Sequence, residues 1–276
     1  MVKKLVLITG ATSGIGKETA LGLARLGYAL VLTTRDQARG EQARKEIIDA
    51  TGNPDVEVMF CDLGSFASIR AFADAFLKRH DRLDVLVNNA GVWDFHRHES
   101  ADGIERIFAV DYLAPFLLTS LLLDVLKHSA PSRFVNVSSG LHSGVIHFDD
   151  IEMKHGWSGM KAYRQAKLAV ILWTRLLAKK LAGTGVTVNA VHPGLVRTNL
   201  ARDAPWAYRF GFKMFGKRPV KGALTSLYAA SSPEVASVTG EYLADCRVHR
   251  SSEESYKMDV AQRLWDLSVK ITRVTR

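Results

Sequence analysis

Tyr163 and Lys167 lie four residues apart in the stretch "AYRQAKLA", within a run whose apolar spacing predicts a helix. Residues at positions i and i+4 share one helix face, so both side chains can enter the same pocket. A phenol has an ordinary pKa of about 10, and a neighbouring ammonium lowers that pKa by favouring the phenolate. The pair can therefore exchange a proton with an oxygen atom. Taken alone, such a pair is more often an exposed aromatic residue beside a solvated lysine.

Ser139 ends the stretch "RFVNVSS", a short apolar run that predicts a strand. A serine hydroxyl in this place can give a substrate oxygen a second hydrogen bond as negative charge develops there. A lone serine at a strand end more often only satisfies nearby backbone groups. Together with Tyr163 and Lys167, however, Ser139 could stabilise and help protonate an oxygen that gains negative charge.

A glycine-rich loop, "TGATSGIG", lies between the first predicted strand and the first predicted helix. Glycine turns the chain tightly and lets backbone N–H groups approach a pyrophosphate, while the helix N-terminus adds free donors and a favourable dipole. The order strand, loop, helix predicts a dinucleotide site rather than a turn without a ligand. The residues of this loop assigned to the site are Gly10, Ser13, Gly14, Ile15 and Gly16.

The end of the second predicted strand reads "VLTTRD". An acidic side chain at this place holds the 2′-hydroxyl of NAD, whereas a basic one accommodates the 2′-phosphate of NADP. Thr34 stands where the acid would be and Arg35 follows it, and a guanidinium binds phosphate through two parallel hydrogen bonds. The sequence therefore predicts NADP(H). The alternative is that Arg35 faces solvent and pairs with Asp36.

Segments that predict strands and helices alternate along the chain. Six short apolar strands are separated by helices, and the two longest helices span about residues 102–127 and 158–182. This alternation predicts βαβ crossovers, and the near-continuous apolar strands predict a sheet that is buried on both faces. We expect an α/β fold, a single Rossmann-type domain over residues 1–276 with a doubly wound parallel sheet and helices on both faces.

Six motifs follow one another in the order "TGATSGIG", "CDL", "NNAG", "VNVSS", "YRQAK" and "HPG". Together they resemble the short-chain dehydrogenase/reductases over roughly residues 2–200. The stretches "TRLLAKKLAGTGVTVNAVHPGLVRTNL" and "GEYLADCRVHRSSEE" are most similar to the retinol dehydrogenase branch. The resemblance implies an oxidoreductase that interconverts an alcohol and an aldehyde or ketone.

The resemblance also implies a role for each matching residue. Tyr163 is the expected acid/base and also a cofactor contact, Lys167 binds the nicotinamide ribose and lowers the tyrosine pKa, and Ser139 holds the substrate oxygen. The other expected cofactor contacts are Asp62 and Leu63 near the adenine, Asn89, Ala90 and Gly91 beside the adenosine ribose, and Val196 and Thr198 after "HPG".

Asp111 departs from the family pattern, which has an asparagine at this place to complete a proton relay through water to the lysine. An ionised aspartate accepts hydrogen bonds but donates none. Asp111 either holds the water and strengthens the ammonium character of Lys167, or it slows the relay, or it is only a tolerated helix residue. Pro115, four residues later, predicts a kink or an unusual packing of the same helix.

Residues 199–222 interrupt the alternation and interleave aromatic with basic side chains in "APWAYRFGFKMFGKRPVK". By the resemblance this segment is the substrate lid, and its aromatic residues suggest a bulky apolar substrate such as a retinoid, steroid or lipid. The alternatives are a face in peripheral contact with an anionic membrane, and packing against the fold or against a second subunit.

Composition limits the remaining classes. The net charge of +9 suits an anionic cofactor, and with no zinc-finger or RNP-like pattern we expect no nucleic-acid partner. Two cysteines suit a reducing compartment, and "MVKKLVLITG" predicts a strand rather than a signal peptide. We therefore expect a cytoplasmic protein without a transmembrane anchor, and by family analogy a homodimer formed through the long central helices.

A second function from another class stays open on these residues. The fold could bind NADP(H) without catalysis, as a sensor or scaffold, and Asp111 is the residue that favours this alternative.

Overall fold

One eight-stranded sheet forms the centre of the protein. The computed structural model describes residues 3–197 and 216–274. The strands follow the order β3-β2-β1-β4-β5-β6-β7-β8 and are parallel except for β7 and β8, which pair antiparallel. They are β1 (Leu5–Ile8), β2 (Ala29–Thr34), β3 (Val56–Phe60), β4 (Val85–Asn88), β5 (Ser132–Val137), β6 (Val186–His192), β7 (Tyr242–Ala244) and β8 (Arg247–His249).

Helices pack on both faces of this sheet, so that each face has its own apolar core. They are α1 (Gly14–Arg25), α2 (Gln37–Thr51), α3 (Phe66–Arg79), α4 (Arg106–His128), α5 (Gly159–Lys180), α6 (Pro219–Ser231) and α7 (Met258–Thr272). α4 contains a π-helical turn at Ala109–Leu113. The predicted doubly wound α/β fold is confirmed, and all six predicted strands are present.

Two strands were not predicted. β7 and β8 have three residues each, which is too short for an apolar pattern to be recognised. Both belong to the "GEYLADCRVH" stretch, where Asp245 and Cys246 have positive φ angles of 45° and 58° and make the tight turn between the two strands.

The order in which successive strands join the sheet reverses at β1. The chain passes from β1 to β2 and β3 on one side of the sheet and then returns to β4 on the other side. Ligands of open α/β sheets bind beyond the carboxyl ends of the strands at such a point. The glycine loop after β1, "NNAG" from the last residue of β4 onward, and "VNVSS" at the end of β5 all reach this edge.

The carboxyl-terminal helix α7 packs on the central helices α4 and α5. The Trp265 ring meets the Phe116 ring edge-on at 5.2 Å, and the Tyr112 hydroxyl hydrogen-bonds the Ser268 hydroxyl at 2.8 Å. α7 thus covers a face of the helices through which two copies were expected to pair. A dimer formed through that face requires α7 to move away.

Within the described residues, α4 is the one helix that is long and apolar enough to cross a membrane. A core helix can pass the same test of length and composition. Phe108, Phe116 and Leu117 of α4 are at most 1% exposed, and 83% of its apolar stretch is buried inside the fold. α4 therefore has the burial of a core helix.

Candidate active site

The glycine loop closely approaches the loop after β4. Gly10 has a φ of 66°, and a Cβ built on it would lie 2.9 Å from the Cα of Ala90. A Cβ on Gly16 would lie 2.5 Å from the carbonyl oxygen of Gly10. Both positions therefore admit only glycine without a shift of the backbone. The loop has the tight backbone cradle that a pyrophosphate needs.

Thr9 and Asn89 join the two loops. The Thr9 hydroxyl accepts hydrogen bonds from the backbone N–H groups of Asn89 and Ala90, both at 3.0 Å. The Asn89 amide donates to the carbonyls of Thr9, at 2.8 Å, and Gly10, at 3.2 Å. Sequence reasoning missed Thr9, whose only signal was its position directly before the first glycine.

The α1 N-terminus continues this cradle. Ser13 is the N-cap residue, and its side chain makes no capping hydrogen bond within the described structure. Gly14 follows with a φ of 58°, and Ile15 lies in the first turn. The first-turn N–H groups of a helix have no intrahelical partner. The loop and the helix end together fit the phosphates of a dinucleotide.

Arg35 is exposed at the end of β2. The Thr34 hydroxyl donates to the Asp36 carbonyl at 2.7 Å, and the Asp36 carboxylate accepts from the Arg39 N–H as the N-cap of α2. Within the described part of the chain no ion pair joins Arg35 to Asp36. The alternative in which the two charges neutralise each other therefore has no support from the structure.

The remaining predicted cofactor residues lie at or beyond the same edge of the sheet. Asp62 and Leu63 follow β3 and are half-buried, and the Asp62 carboxylate accepts from the Gly64 N–H at 2.9 Å. Val196 is buried and pairs with Lys217 in an isolated bridge. Thr198 lies outside the described residues.

Three ionisable side chains lie buried together behind this edge. Lys167 Nζ is 3.0 Å from Asp111 Oδ2 and 5.3 Å from the centre of the Tyr163 ring. Tyr163, Lys167 and Asp111 are 5%, 3% and 2% exposed. Lys167 also donates to the Val137 carbonyl at 3.3 Å. α5 supplies Tyr163 and Lys167 on one face, as their spacing predicted, and α4 supplies Asp111.

Ser139 lies on the exposed side of this cluster, whereas its neighbour Ser138 does not. The buried Ser138 hydroxyl donates to the Lys167 carbonyl at 2.9 Å and so anchors α5. The half-buried Ser139 hydroxyl accepts from the Leu141 N–H at 3.1 Å and is near enough to Tyr163 to lower the pKa of its phenol. The structure thus brings Ser139, Tyr163, Lys167 and Asp111 together as the sequence predicted.

Burial raises the pKa of Tyr163, Lys167 lowers it, and Asp111 raises it again, with a net increase. Lys167 thus acts in the predicted direction, but burial outweighs it. Burial alone would lower the pKa of Lys167, yet Asp111 and Tyr163 outweigh burial and raise it. At neutral pH the cluster therefore combines a neutral phenol with an ammonium.

Pro115 explains the π-helical turn around Asp111. Proline has no N–H group and its ring clashes with the carbonyl four residues before it, which here belongs to Asp111. The widened turn at Ala109–Leu113 relieves this conflict without ending the helix. The predicted irregularity is present as a π turn. The Asp111 carboxylate also accepts from the Val92 N–H at 2.7 Å, a contact that the sequence did not suggest.

Trp93 connects the cluster to a pocket. Its ring stacks on the Tyr163 ring, with centroids 5.1 Å apart and an angle of 18°, and on the Phe95 ring at 5.7 Å. A pocket of about 430 Å³ opens beside these rings. Its lining is Trp93, Phe95, His96, Arg97, Trp157, Ser158, Gly159 and Met160. Nothing in the sequence indicated that Trp93 would contact Tyr163.

The predicted lid at residues 199–222 lies mostly outside the described residues. Its described end, from Gly216, enters α6 at Pro219. Gly216 accepts a hydrogen bond from Arg197 Nε at 2.7 Å. The aromatic residues predicted to line the lid, Trp206 to Phe215, have no described placement.

Solved structures share this fold. A crystal structure of an uncharacterized protein from Mycobacterium Paratuberculosis matches with a TM-score of 0.82 and 32% identity, over 99% of this chain and 94% of that chain. The Pseudomonas aeruginosa RhlG/NADP active-site complex matches with a TM-score of 0.72 and 25% identity, over 92% of this chain and 97% of that chain. A 3-ketoacyl-(acyl-carrier-protein) reductase from Brucella melitensis complexed with NADH matches with a TM-score of 0.68 and 27% identity, over 88% of this chain and 96% of that chain. These neighbours indicate a nicotinamide dinucleotide but do not distinguish NADP from NAD.

Curated relatives cover almost the whole chain. Retinol dehydrogenase 14 from Homo sapiens and retinol dehydrogenase 11 from Mus musculus are each 45% identical, over 96% of this chain and 85% of those proteins. The family model described as short chain dehydrogenase matches residues 4–207. The resemblance expected from the motifs is confirmed: the chain belongs to the short-chain dehydrogenase family of oxidoreductases.

Proposed function

We propose that the chain is an NADP(H)-dependent oxidoreductase that interconverts an alcohol with an aldehyde or ketone on a bulky apolar substrate. The observation that carries this proposal is the buried contact of Lys167 with Asp111 beside Tyr163 and Ser139. The cluster lies at the sheet edge that also holds the glycine loop. When bound there, NADP(H) supplies or accepts the hydride.

The side chains have separate tasks in reduction. The neutral Tyr163 phenol donates its proton to the substrate oxygen, while the Ser139 hydroxyl holds that oxygen by a second hydrogen bond. The Lys167 ammonium stabilises the phenolate left on Tyr163. Asp111 holds the ammonium in place through the 3.0 Å contact. Oxidation uses the same groups in reverse order.

The proposed preference for NADP(H) is supported by the charge at the end of β2. Arg35 is exposed there, and Asp36 is engaged as the cap of α2. A guanidinium without a carboxylate partner is suited to a 2′-phosphate.

The proposed substrate class is supported by the pocket beside Trp93. Trp93, Phe95, Trp157 and Met160 provide apolar walls next to the Tyr163 ring. Each methylene that such a pocket buries contributes about 0.8 kcal/mol. A long apolar aldehyde or ketone should therefore bind better than a short one.

Turnover of a panel of aldehydes and ketones with NADPH tests the activity, followed by the absorbance of the reduced nicotinamide. Tyr163→Phe should lower kcat by about 10²–10⁴-fold because the proton donor is lost. The affinity for NADPH, measured by fluorescence titration, should change less than about threefold, because the ring is kept. Tyr228→Phe is the matched control, since its hydroxyl donates to the Glu234 carboxylate on the surface at 2.9 Å, and it should keep kcat.

Met160→Asp tests the pocket. The charge should raise KM for a long apolar aldehyde by about tenfold or more, because burying an unpaired carboxylate is costly. KM for a short aldehyde should change less than about threefold. Equal changes for both substrates would remove this pocket from the proposal.

A second candidate is a non-catalytic NADP(H)-binding scaffold, and the direct contact of Asp111 with Lys167 favours it. An ionised aspartate cannot donate a proton to a relay. Tight NADPH binding without turnover of any carbonyl compound, unaltered by Tyr163→Phe, would support the scaffold and sink the enzyme.

A cytoplasmic location and a homodimer are further proposals that rest on the sequence alone. Light scattering of the purified chain tests the dimer. A mass of twice that of the chain would support the dimer, and the mass of a single chain would contradict it.

A further inference from the structure

Two side chains hold the backbone carbonyl of Ser139: one lies three residues later in the same loop, and the other belongs to β7. The Ser139 carbonyl accepts a hydrogen bond from His142 Nδ1 at 2.6 Å and another from the Tyr242 hydroxyl at 3.1 Å. Ser139 lies beyond the end of β5, where no neighbouring strand fixes its carbonyl. Its orientation therefore depends on these two donors.

The contacts of His142 fix its tautomer. Its Nε2 lies 3.0 Å from the backbone nitrogen of Ser252, and a backbone N–H can only donate. Nε2 must therefore be the acceptor, and the single ring proton must be on Nδ1, where it is donated to Ser139. The Ser252 hydroxyl also donates to the His142 carbonyl at 3.0 Å. His142 as a residue is 8% exposed, so it is buried in this arrangement.

We propose that His142 is a positioning residue of the reaction, which aims Ser139 at the substrate oxygen and ties it through Ser252 to the carboxyl-terminal segment of the chain. This inference rests on the proposed function, since it assumes the role given to Ser139. A protonated His142 would place a donor against the Ser252 N–H and would break the arrangement.

The titratable groups around His142 leave it neutral near pH 7. The Tyr242 ring is 4.9 Å away and stacks on His192 at 6.4 Å. Burial lowers the pKa of His142, and it lowers the pKa of His192 to about 4. Next to His192, Lys217 pairs with Asp245 at 3.0 Å, and His249 lies in β8. His142 should gain its proton only in acid.

Three substitutions at His142 separate its two contacts. His142→Asn places an amide nitrogen near Nδ1 and keeps the donor to Ser139, whereas His142→Gln reaches the Nε2 position and keeps the acceptor for Ser252. His142→Phe removes both. We expect His142→Asn to retain kcat within about threefold, and the other two to lose about 10–100-fold, as expected for a misplaced catalytic group. The matched control is His147→Phe in the same loop, an exposed imidazole that should keep full activity.

The pH profile gives a readout that a purely structural role would not move. The wild-type rate should fall in acid as His142 takes a second proton, and His142→Asn should lose this fall. An unchanged acid limb in active His142→Asn would contradict the proposal.

A double-mutant cycle with Ser139→Ala decides whether His142 acts through Ser139. In the Ser139→Ala background, His142→Phe should cost no further activity, because the group it aims is gone. The same loss in both backgrounds would overturn the inference. If Ser139→Ala alone leaves kcat intact, the role of Ser139 in the proposed function fails instead. If Ser139→Ala lowers kcat and His142→Phe does not, only the inference fails.

Tyr242→Phe keeps the test available if His142→Phe does not fold. It removes the second donor to Ser139 while keeping the ring. It should lower kcat about threefold or more in the wild-type background and not at all in the Ser139→Ala background. Thermal unfolding checks that each variant is folded. If Tyr242→Phe still lowered kcat in the Ser139→Ala background, the proposal would be contradicted.

Discussion

The proposed cofactor edge and the proposed catalytic edge of this protein are built in different ways. The proposed cofactor edge, called the cofactor edge below, consists of the glycine loop and the end of β2, and the groups proposed to bind the ligand there are backbone N–H groups and the exposed Arg35. The catalytic edge consists of Asp111, Ser139, Tyr163 and Lys167, and three of these four are ionisable groups at most 5% exposed.

The difference has an energetic consequence. An exposed charge interacts weakly, because water screens it, whereas a buried charge is stable only with its partner in place. Ligand affinity at the cofactor edge should therefore depend on the shape of the loop and on which dinucleotide is offered. Stability at the catalytic edge should depend on any change of charge or pH.

The largest expected effect is at Asp111. Asp111→Leu leaves the Lys167 charge buried without its partner and should lower the free energy of unfolding by about 3–5 kcal/mol, measured in urea. Asp124→Asn removes a carboxylate from the same helix that is 86% exposed and lies 3.8 Å from Lys127, so it should change stability by less than about 0.5 kcal/mol. If Asp111→Leu and Asp124→Asn lowered the free energy of unfolding equally, burial would not explain the difference between the edges.

His192 at the end of β6 should make the catalytic side sensitive to acid. Burial lowers its pKa from 6.5 to about 4, so the unfolded chain binds more protons between these values. Stability that is present above pH 6.5 should therefore fall as the pH drops through this window, by on the order of 2–3 kcal/mol. His192→Asn should remove this part of the pH dependence in urea titrations from pH 7 to pH 4. An unchanged slope would contradict the assignment.

At the cofactor edge, Gly16→Ala changes shape alone. The new Cβ would lie 2.5 Å from the Gly10 carbonyl oxygen, so the loop must shift. We expect a loss of about 1–3 kcal/mol in stability and a weaker affinity for NADPH, without a change in the pH profile. If Gly16→Ala shifted the pH profile of activity, the two edges would be coupled.

The smallest expected effect is at Arg35. Arg35→Asp should lower the ratio of NADPH to NADH affinity by about tenfold or more, which corresponds to about 1.4 kcal/mol. Stability should stay within about 0.5 kcal/mol because the side chain is exposed. An unchanged ratio in fluorescence titrations would remove Arg35 from cofactor selection.

Some residues of the candidate site were predictable because their signal is local. Gly10 and Gly16 lie in one loop between a strand and a helix, and Tyr163 and Lys167 lie one helical turn apart. Short-range geometry alone brings such residues together. Asp111 could be placed in the site only because of its position in a family pattern.

The sequence by itself therefore determined the parallel sheet, the cofactor loop and the face of α5 that carries Tyr163 and Lys167, because apolar periodicity and glycine positions act over a few residues. Only the tertiary structure decided the direct contact of Asp111 with Lys167, the stacking of Trp93 on Tyr163, and the hydrogen bond between His142 and Ser252. His142 lies 110 residues before Ser252, and no local pattern encodes a contact over that distance. The contact forms because the folded sheet brings together the segments that follow β5 and β8.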